Sequence, residues 1–309
     1  MAGQAGGAFG RNRQAWMRAI GIGAVVLATS FMSGVSTARM ATAQEQGAQS
    51  VPAEVMAEVD ALLEAMRIDD TISILREEGI DYGRTLETDM FPGAGGPGWE
   101  ATIALIYDGA RMREAFRMAL AREMAADPDA VSEMAAFFGS DLGQRIVTLE
   151  IEGRRALLDD ATEEAAKVAW EELRSGDAPR LAQLERFVTV NDLVESNVSG
   201  ALNANLSFYR GMAEGGAFGG EMTEEQMLSD VWAQEPEVRA STTEWVYSYL
   251  NLAYGPLSDA DLEAYTAFSE SDVGQRANAA LFAAFDKVFT PISHALGVAV
   301  ARQLQGQDI

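Results

Sequence analysis

Two nearly identical nine-residue segments lie 131 positions apart in this chain of 309 residues. The first reads FFGSDLGQR (137–145) and the second reads FSESDVGQR (268–276). Repetition at a fixed distance is typical of a chain built from copies of one supersecondary unit. The repeat therefore predicts an internal duplication, with one unit over residues 50–176 and a second over residues 177–305.

The apolar residues recur with the period of an α-helix. In AEVMAEVDALLEAM, Val55, Val59, Leu62 and Met66 fall on one face, and acidic residues occupy the remaining faces. No run of alternating apolar and polar residues bounded by turn signals requires a β-strand. We therefore expect an all-α protein made of two related multi-helix units, in which helical hairpins pack antiparallel.

The repeated segment predicts a corner between two helices. Its serine can accept hydrogen bonds from the free N–H groups at the start of the second helix. Its glycine lacks a Cβ and would admit a neighbouring helix, whose backbone the glutamine could bond, while the arginine could pair with an acid. An alternative is a pair of anion sites built on the glutamines and arginines. The residues assigned to the two corners are Phe137, Ser140, Gly143, Gln144, Arg145, Phe268, Ser271, Gly274, Gln275 and Arg276.

Two glycine-rich stretches and one proline suggest interruptions of the helical pattern. The stretches at 91–99 and 211–220 predict loops between helices. Neither carries the lysine and hydroxyl residue of a phosphate-binding P-loop, and no strand precedes them. Thr290 before Pro291 predicts a new helix start, because the missing N–H of proline costs nothing at the first helical position.

The order of these features resembles an uncharacterised all-helical family of exported, periplasmic proteins of Gram-negative bacteria, catalogued as a domain of unknown function. The resemblance consists of an entry helix with Leu62, Leu63 and Glu64, followed by an aromatic-x-x-Ser-x-x-Gly-Gln corner, here present twice. It implies a periplasmic helical protein without enzymatic activity, and it brings no catalytic residues.

The N-terminal segment predicts export. Arginines precede the uncharged stretch AIGIGAVVLATSFMSGVSTA, and Ala41 and Ala43 give the small-x-small pattern of a cleavage site. We expect a signal peptide over 1–43, cleaved near Ala43, a disordered mature N-terminus over 44–49, and a periplasmic location. The alternative is an uncleaved N-terminal helix that anchors the protein in the membrane.

The charge and composition limit the partners. Asp and Glu number 47 against 23 Lys and Arg, a net charge of −24. Because four arginines and no acids precede the predicted cleavage point, the mature chain would carry −28. Such a surface repels nucleic acid, so we expect no nucleic-acid partner, and membrane contact only through a retained N-terminal segment. The chain has no cysteine and thus no disulfide.

No residue pattern predicts a chemical activity. His294 is the single histidine, no nucleophile motif accompanies it, and no acidic cluster has calcium-loop spacing. We therefore predict no catalytic residues, no metal site and no cofactor. The predicted function is a non-enzymatic periplasmic binding or scaffold protein of the cell envelope, which engages an envelope protein or an apolar ligand between the two units. The alternatives are a hydrolase-type enzyme with a carboxylate site and a membrane-anchored assembly factor.

Overall fold

The computed structural model describes residues 51–176 and 179–306. The predicted signal peptide and the predicted disordered segment at 44–49 lie outside the described residues. Within those two ranges the regular structure is helical and contains no strand, so the predicted all-α class is confirmed. None of the helices in these ranges combines the length and the apolar character needed to cross a bilayer.

The helices divide at the junction between the two predicted units. In the first half they are α1 (Ala53–Ala65), α2 (Ile68–Met90), α3 (Gly96–Ile106), α4 (Gly109–Glu123), α5 (Pro128–Gly139), α6 (Asp141–Ala156) and α7 (Asp160–Arg174). In the second half they are α8 (Pro179–Val190), α9 (Leu193–Glu214), α10 (Glu224–Trp232), α11 (Glu235–Tyr254), α12 (Asp259–Glu270) and α13 (Asp272–Leu304).

Short polar side chains begin many of these helices. Asp108 accepts a hydrogen bond from the Arg111 N–H at the start of α4. Thr223 and Gln226 form a reciprocal capping box at the start of α10. Such caps satisfy N–H groups that have no partner within the helix, and each contributes about 1 kcal/mol to stability. The breaks between helices are therefore encoded locally.

The predicted helix start at Pro291 is wrong, because α13 continues through this residue to Leu304. A proline inside a helix removes one backbone hydrogen bond and costs about 3 kcal/mol. Packing opposes this cost, since α13 is buried on both sides of the proline, at Val288 and Phe289 before it and at Ile292 after it. Tertiary contacts thus override the local stop signal.

Two glycines bring α9 and α13 into backbone contact. A Cβ on Gly211 would lie 2.1 Å from the His294 carbonyl oxygen, and a Cβ on Gly297 would lie 2.1 Å from that of Phe208. Gly211 therefore belongs to a helix–helix contact, although the sequence assigned it to a loop. The remaining glycines of that stretch leave the helix, and Gly216, Gly219 and Gly220 have positive φ.

The two halves share one apolar core. The fourth helix of the first half, α4, packs against α13, and its counterpart in the second half, α11, packs against α6 and α7. Within each half, the first helix packs against the helix before the corner: α1 against α5, and α8 against α12. The helices of one half therefore complete the core of the other.

Candidate functional site

The two corners predicted from the repeat have the same hydrogen bonds. The Ser140 hydroxyl accepts from the Gly143 N–H at 3.1 Å and donates to the Phe137 carbonyl at 2.6 Å. The Ser271 hydroxyl accepts from the Gly274 N–H at 3.0 Å and donates to the Phe268 carbonyl at 2.6 Å. Each serine therefore joins the end of one helix to the start of the next.

The glycines of the corners are needed for a reason other than the one predicted. A Cβ on Gly143 would lie 2.2 Å from the Phe137 carbonyl oxygen, and a Cβ on Gly274 would lie 2.1 Å from that of Phe268. The close contact is with the end of the preceding helix, and not with a separate neighbouring helix. The tight turn itself brings the two helix ends together.

The corner glutamines tie each corner to the first helix of its own half. The Gln144 amide donates to the carbonyl of Ala65, the last residue of α1, at 2.7 Å, and to Phe138 at 2.6 Å. The Gln275 amide donates to the carbonyl of Val190, the last residue of α8, at 3.1 Å. Because helix ends have carbonyls without intrahelical donors, these bonds stabilise equivalent ends in the two halves.

The corner arginines reach from one half to the other. Arg145 binds Asp261 of the second half at 3.0 Å, and Arg276 binds Asp127 of the first half. The corners themselves meet through Phe137 and Phe268, whose rings are 3.7 Å apart between centroids and nearly parallel. The arginines are thus already paired with acids within the protein, which leaves little capacity for the alternative of anion sites.

A buried glutamate with three tyrosines lies near the corners and was missed by sequence reasoning. The Tyr254 hydroxyl donates to the Glu150 carboxyl group at 2.6 Å, that of Tyr265 approaches the same oxygen at 3.3 Å, and that of Tyr249 donates to the Glu150 backbone. Burial raises the pKa of Glu150 to about 7, against the opposing effect of the two side-chain hydrogen bonds. Glu150 lines neither of the two grooves described below, and its side chain is buried against the second half of the chain.

The described surface carries an apolar groove between the two halves, which we call the inter-unit groove. Its walls are formed by α3 and α4 from the first half and by α13 from the second, and its volume is about 350 Å³. The apolar lining includes Leu105, which is 62% exposed. The residues lining it are Thr102, Leu105, Ile106, Arg111, Met112, Ala115, Lys287, Val288, Pro291, Ile292 and Ala295. This volume lies within the usual range of small-molecule sites.

A second groove of about 500 Å³ lies on the second half alone, between α9 and α13. Its rim is acidic, with Asp192, Glu195 and Asp286. Burial, and secondly the charge of Glu195, raise the pKa of Asp192. Glu195 is already paired with Arg239, and Asp286 contacts Asn203 and Thr290. The hydrolase alternative predicts its carboxylate site among the acids of this groove.

The single histidine and the acidic residues do not assemble a metal centre in the described part of the chain. His294 is half-buried on α13, with its Nε2 atom 3.1 Å from the Glu214 carboxylate. Within residues 51–176 and 179–306, no group of three or more histidine or carboxylate side chains is placed to hold a metal ion.

Comparisons of the chain with protein-family models, with curated proteins and with solved structures find no match.

Proposed function

We propose that this chain is a non-enzymatic binding protein of the bacterial cell envelope that holds an apolar ligand in the inter-unit groove. The observation that carries the proposal is the groove itself, because α3 and α4 of one half and α13 of the other border an open apolar surface that no described side chain fills. Apolar surface left open in this way is a common feature of ligand and partner sites.

The binding role rests on two helical units derived from an internal duplication, over residues 50–176 and 177–305, with antiparallel hairpins as their elements. The matching hydrogen bonds of the two corners support this origin. So do Arg67 and Asp192, which have positive φ at equivalent junctions, α1 to α2 and α8 to α9. Left-handed backbone is uncommon outside glycine, and its occurrence at both junctions supports a common ancestral unit.

The proposed location is the periplasm, after cleavage near Ala43. Fractionation of the native host, followed by mass spectrometry of the intact protein, tests this location. A mature chain that begins at Gln44 in the periplasmic fraction is the expected result. A full-length chain in the membrane fraction would instead support the anchored assembly factor.

The binding role is tested with an uncharged apolar probe. Isothermal titration with 1-decanol should give saturable binding with one site per chain. Ala295 lines the groove, so Ala295→Trp should fill it and weaken binding at least tenfold. Ala136 is exposed on α5 outside the groove, so Ala136→Trp is the matched control and should bind like the parent.

Absence of decanol binding to the parent, or equal binding by the two tryptophan variants, would overturn the proposal. Circular dichroism melting of both variants separates blockage of the groove from loss of the fold. Turnover of a substrate that depends on Asp192 and Asp286 would favour the hydrolase alternative.

A further inference from the structure

The charged residues that line the inter-unit groove are basic, whereas the protein as a whole is acidic. Acids outnumber bases about two to one in the chain, yet the groove is lined by two bases and by no acid. Arg111 lies on the wall formed by α4, and Lys287 lies on the opposite wall, formed by α13. Bases on facing walls make this groove a place where an anion is attracted to an otherwise repulsive surface.

Both bases have side chains available to a ligand. Neither Arg111 nor Lys287 forms an ion pair with another residue in the two described ranges, and both are exposed. The nearest acids in the sequence have other partners: Asp108 caps α4 through the Arg111 backbone N–H, Glu114 is paired with Arg117, and Asp286 contacts Asn203 across the second groove. In contrast, four arginines elsewhere on the molecule are each paired with a carboxylate: Arg117, Arg154, Arg186 and Arg239.

Apart from Thr102, the remaining lining of the groove is apolar. Leu105, Ile106 and Pro291 provide an accessible apolar surface that inorganic anions cannot use. Each methylene of a ligand buried on such a surface strengthens binding by about fourfold, which corresponds to the usual transfer free energy of a CH₂ group. The volume of about 350 Å³ is near the lower end of the range for small-molecule sites, and it suits a ligand with one alkyl chain better than a ligand with two.

We infer that the ligand of the inter-unit groove is a single-chain anionic amphiphile, with a fatty-acid-type carboxylate between Arg111 and Lys287 and its alkyl chain on the apolar lining. This inference rests on the proposed function and adds the chemical class of the ligand. Charge complementarity selects the head group, and the uncovered apolar surface selects the tail.

Isothermal titration tests the inference with three probes that share a ten-carbon chain, at pH 8 and below their micellar concentrations: decanoate, 1-decanol and decyltrimethylammonium. Decanoate should bind at least tenfold more tightly than decanol, and the cation should bind most weakly. Raising the ionic strength should weaken decanoate binding and leave decanol binding unchanged, because salt screens only the charged contact. Octanoate, which is two methylenes shorter, should bind roughly fifteenfold more weakly than decanoate, and acetate should not displace decanoate.

The variant Arg111→Gln/Lys287→Gln should reduce decanoate affinity to that of decanol and leave decanol affinity unchanged. The matched control is Arg122→Gln/Arg302→Gln, which removes two exposed charges from the same two helices outside the groove lining. This control should retain the preference for decanoate within about twofold, although its net charge is the same as that of the test variant.

The possible failures are distinguishable. Equal binding of decanoate and decanol by the parent, or a preference for decanoate that survives Arg111→Gln/Lys287→Gln, would overturn the anionic ligand and leave the apolar groove intact. Displacement of decanoate by acetate would indicate a site for small anions and overturn the amphiphile. If decanol does not bind to the parent, the proposed function itself fails.

Discussion

The Glu150 carboxyl group accepts from the hydroxyls of Tyr254 and Tyr265, and its backbone carbonyl accepts from that of Tyr249; all three tyrosines lie in the second half of the chain. Ionisation of a buried carboxyl is opposed because the low-dielectric interior solvates its charge poorly. Two tyrosine hydroxyls stabilise the carboxylate in part, yet burial dominates and the pKa is about 7. The folding free energy is therefore linked to the protonation of this residue.

We expect Glu150 to make the protein less stable as the pH rises. The unfolded chain releases this proton near pH 4.5, the ordinary pKa of a glutamate, whereas the folded protein releases it near pH 7. The stability that the protonated carboxyl contributes is therefore complete below pH 4.5 and is lost between pH 4.5 and pH 7. Glu150→Gln removes this ionisation but keeps an oxygen to accept from the tyrosines. Urea unfolding should show the variant gaining about 2–3 kcal/mol relative to the parent between pH 5 and pH 8.

Glu77→Gln is the control for this experiment, because Glu77 is an exposed glutamate on α2. Its unfolding free energy should follow that of the parent at both pH values, since an exposed carboxyl has nearly the same environment in the folded and unfolded chain. If Glu150→Gln also tracks the parent, the Glu150 carboxyl group does not titrate as its burial implies.

The sequence could not single out Glu150, for a physical reason. It is one of 47 acidic residues, and its nearest tyrosine partner lies 99 positions further along the chain. In contrast, the capping serines Ser140 and Ser271 could be predicted, because a cap acts on N–H groups within three residues. Local polar contacts can be predicted from spacing, whereas buried sites built across the chain cannot.

At the level of the helices, the two corners depend on the missing Cβ of their glycines. We expect Gly143→Ala and Gly274→Ala each to lower the free energy of unfolding by about 1–3 kcal/mol, because the new methyl group would overlap a backbone carbonyl that cannot rotate away. Higher helix propensity of alanine would otherwise favour the change by up to about 1 kcal/mol. Thermal and urea unfolding of the two variants measure the effect.

Gly139 provides a matched control within the same corner. It is the last residue of α5, and a Cβ placed on it meets no atom within 4 Å. Gly139→Ala should therefore be neutral or slightly stabilising. Equal effects of Gly139→Ala and Gly143→Ala would show that the overlap with the Phe137 carbonyl does not govern the corner.

The helices show where sequence patterns succeed and where they fail. The helical period and the caps predict the all-α class, because both depend on residues three or four positions apart. The break predicted at Pro291 does not occur, since α13 is held along its length by α9. The inter-unit groove was likewise beyond prediction, because Arg111 and Lys287 lie 176 positions apart and have no distinctive neighbours.

Over the whole molecule, each half uses helices of the other to bury its apolar surface. α4 covers α13, α11 covers α6 and α7, and the stacked Phe137 and Phe268 join the two corners. An interface of this kind resembles a protein interior more than a contact between independent domains. The two grooves differ accordingly, because the inter-unit groove requires both halves and the acidic groove lies on the second half alone.

This arrangement predicts that the halves remain associated after the chain is cut between them. A protease site inserted between Gly176 and Pro179 should yield two fragments that co-elute in gel filtration as one species of the parent's size, with unchanged helical circular dichroism. The fragments should separate only in denaturant, because a fragment alone would expose the apolar faces that α4 and α11 cover. Two folded fragments that elute independently in buffer would mean that each half has a sufficient core of its own, contrary to the shared core.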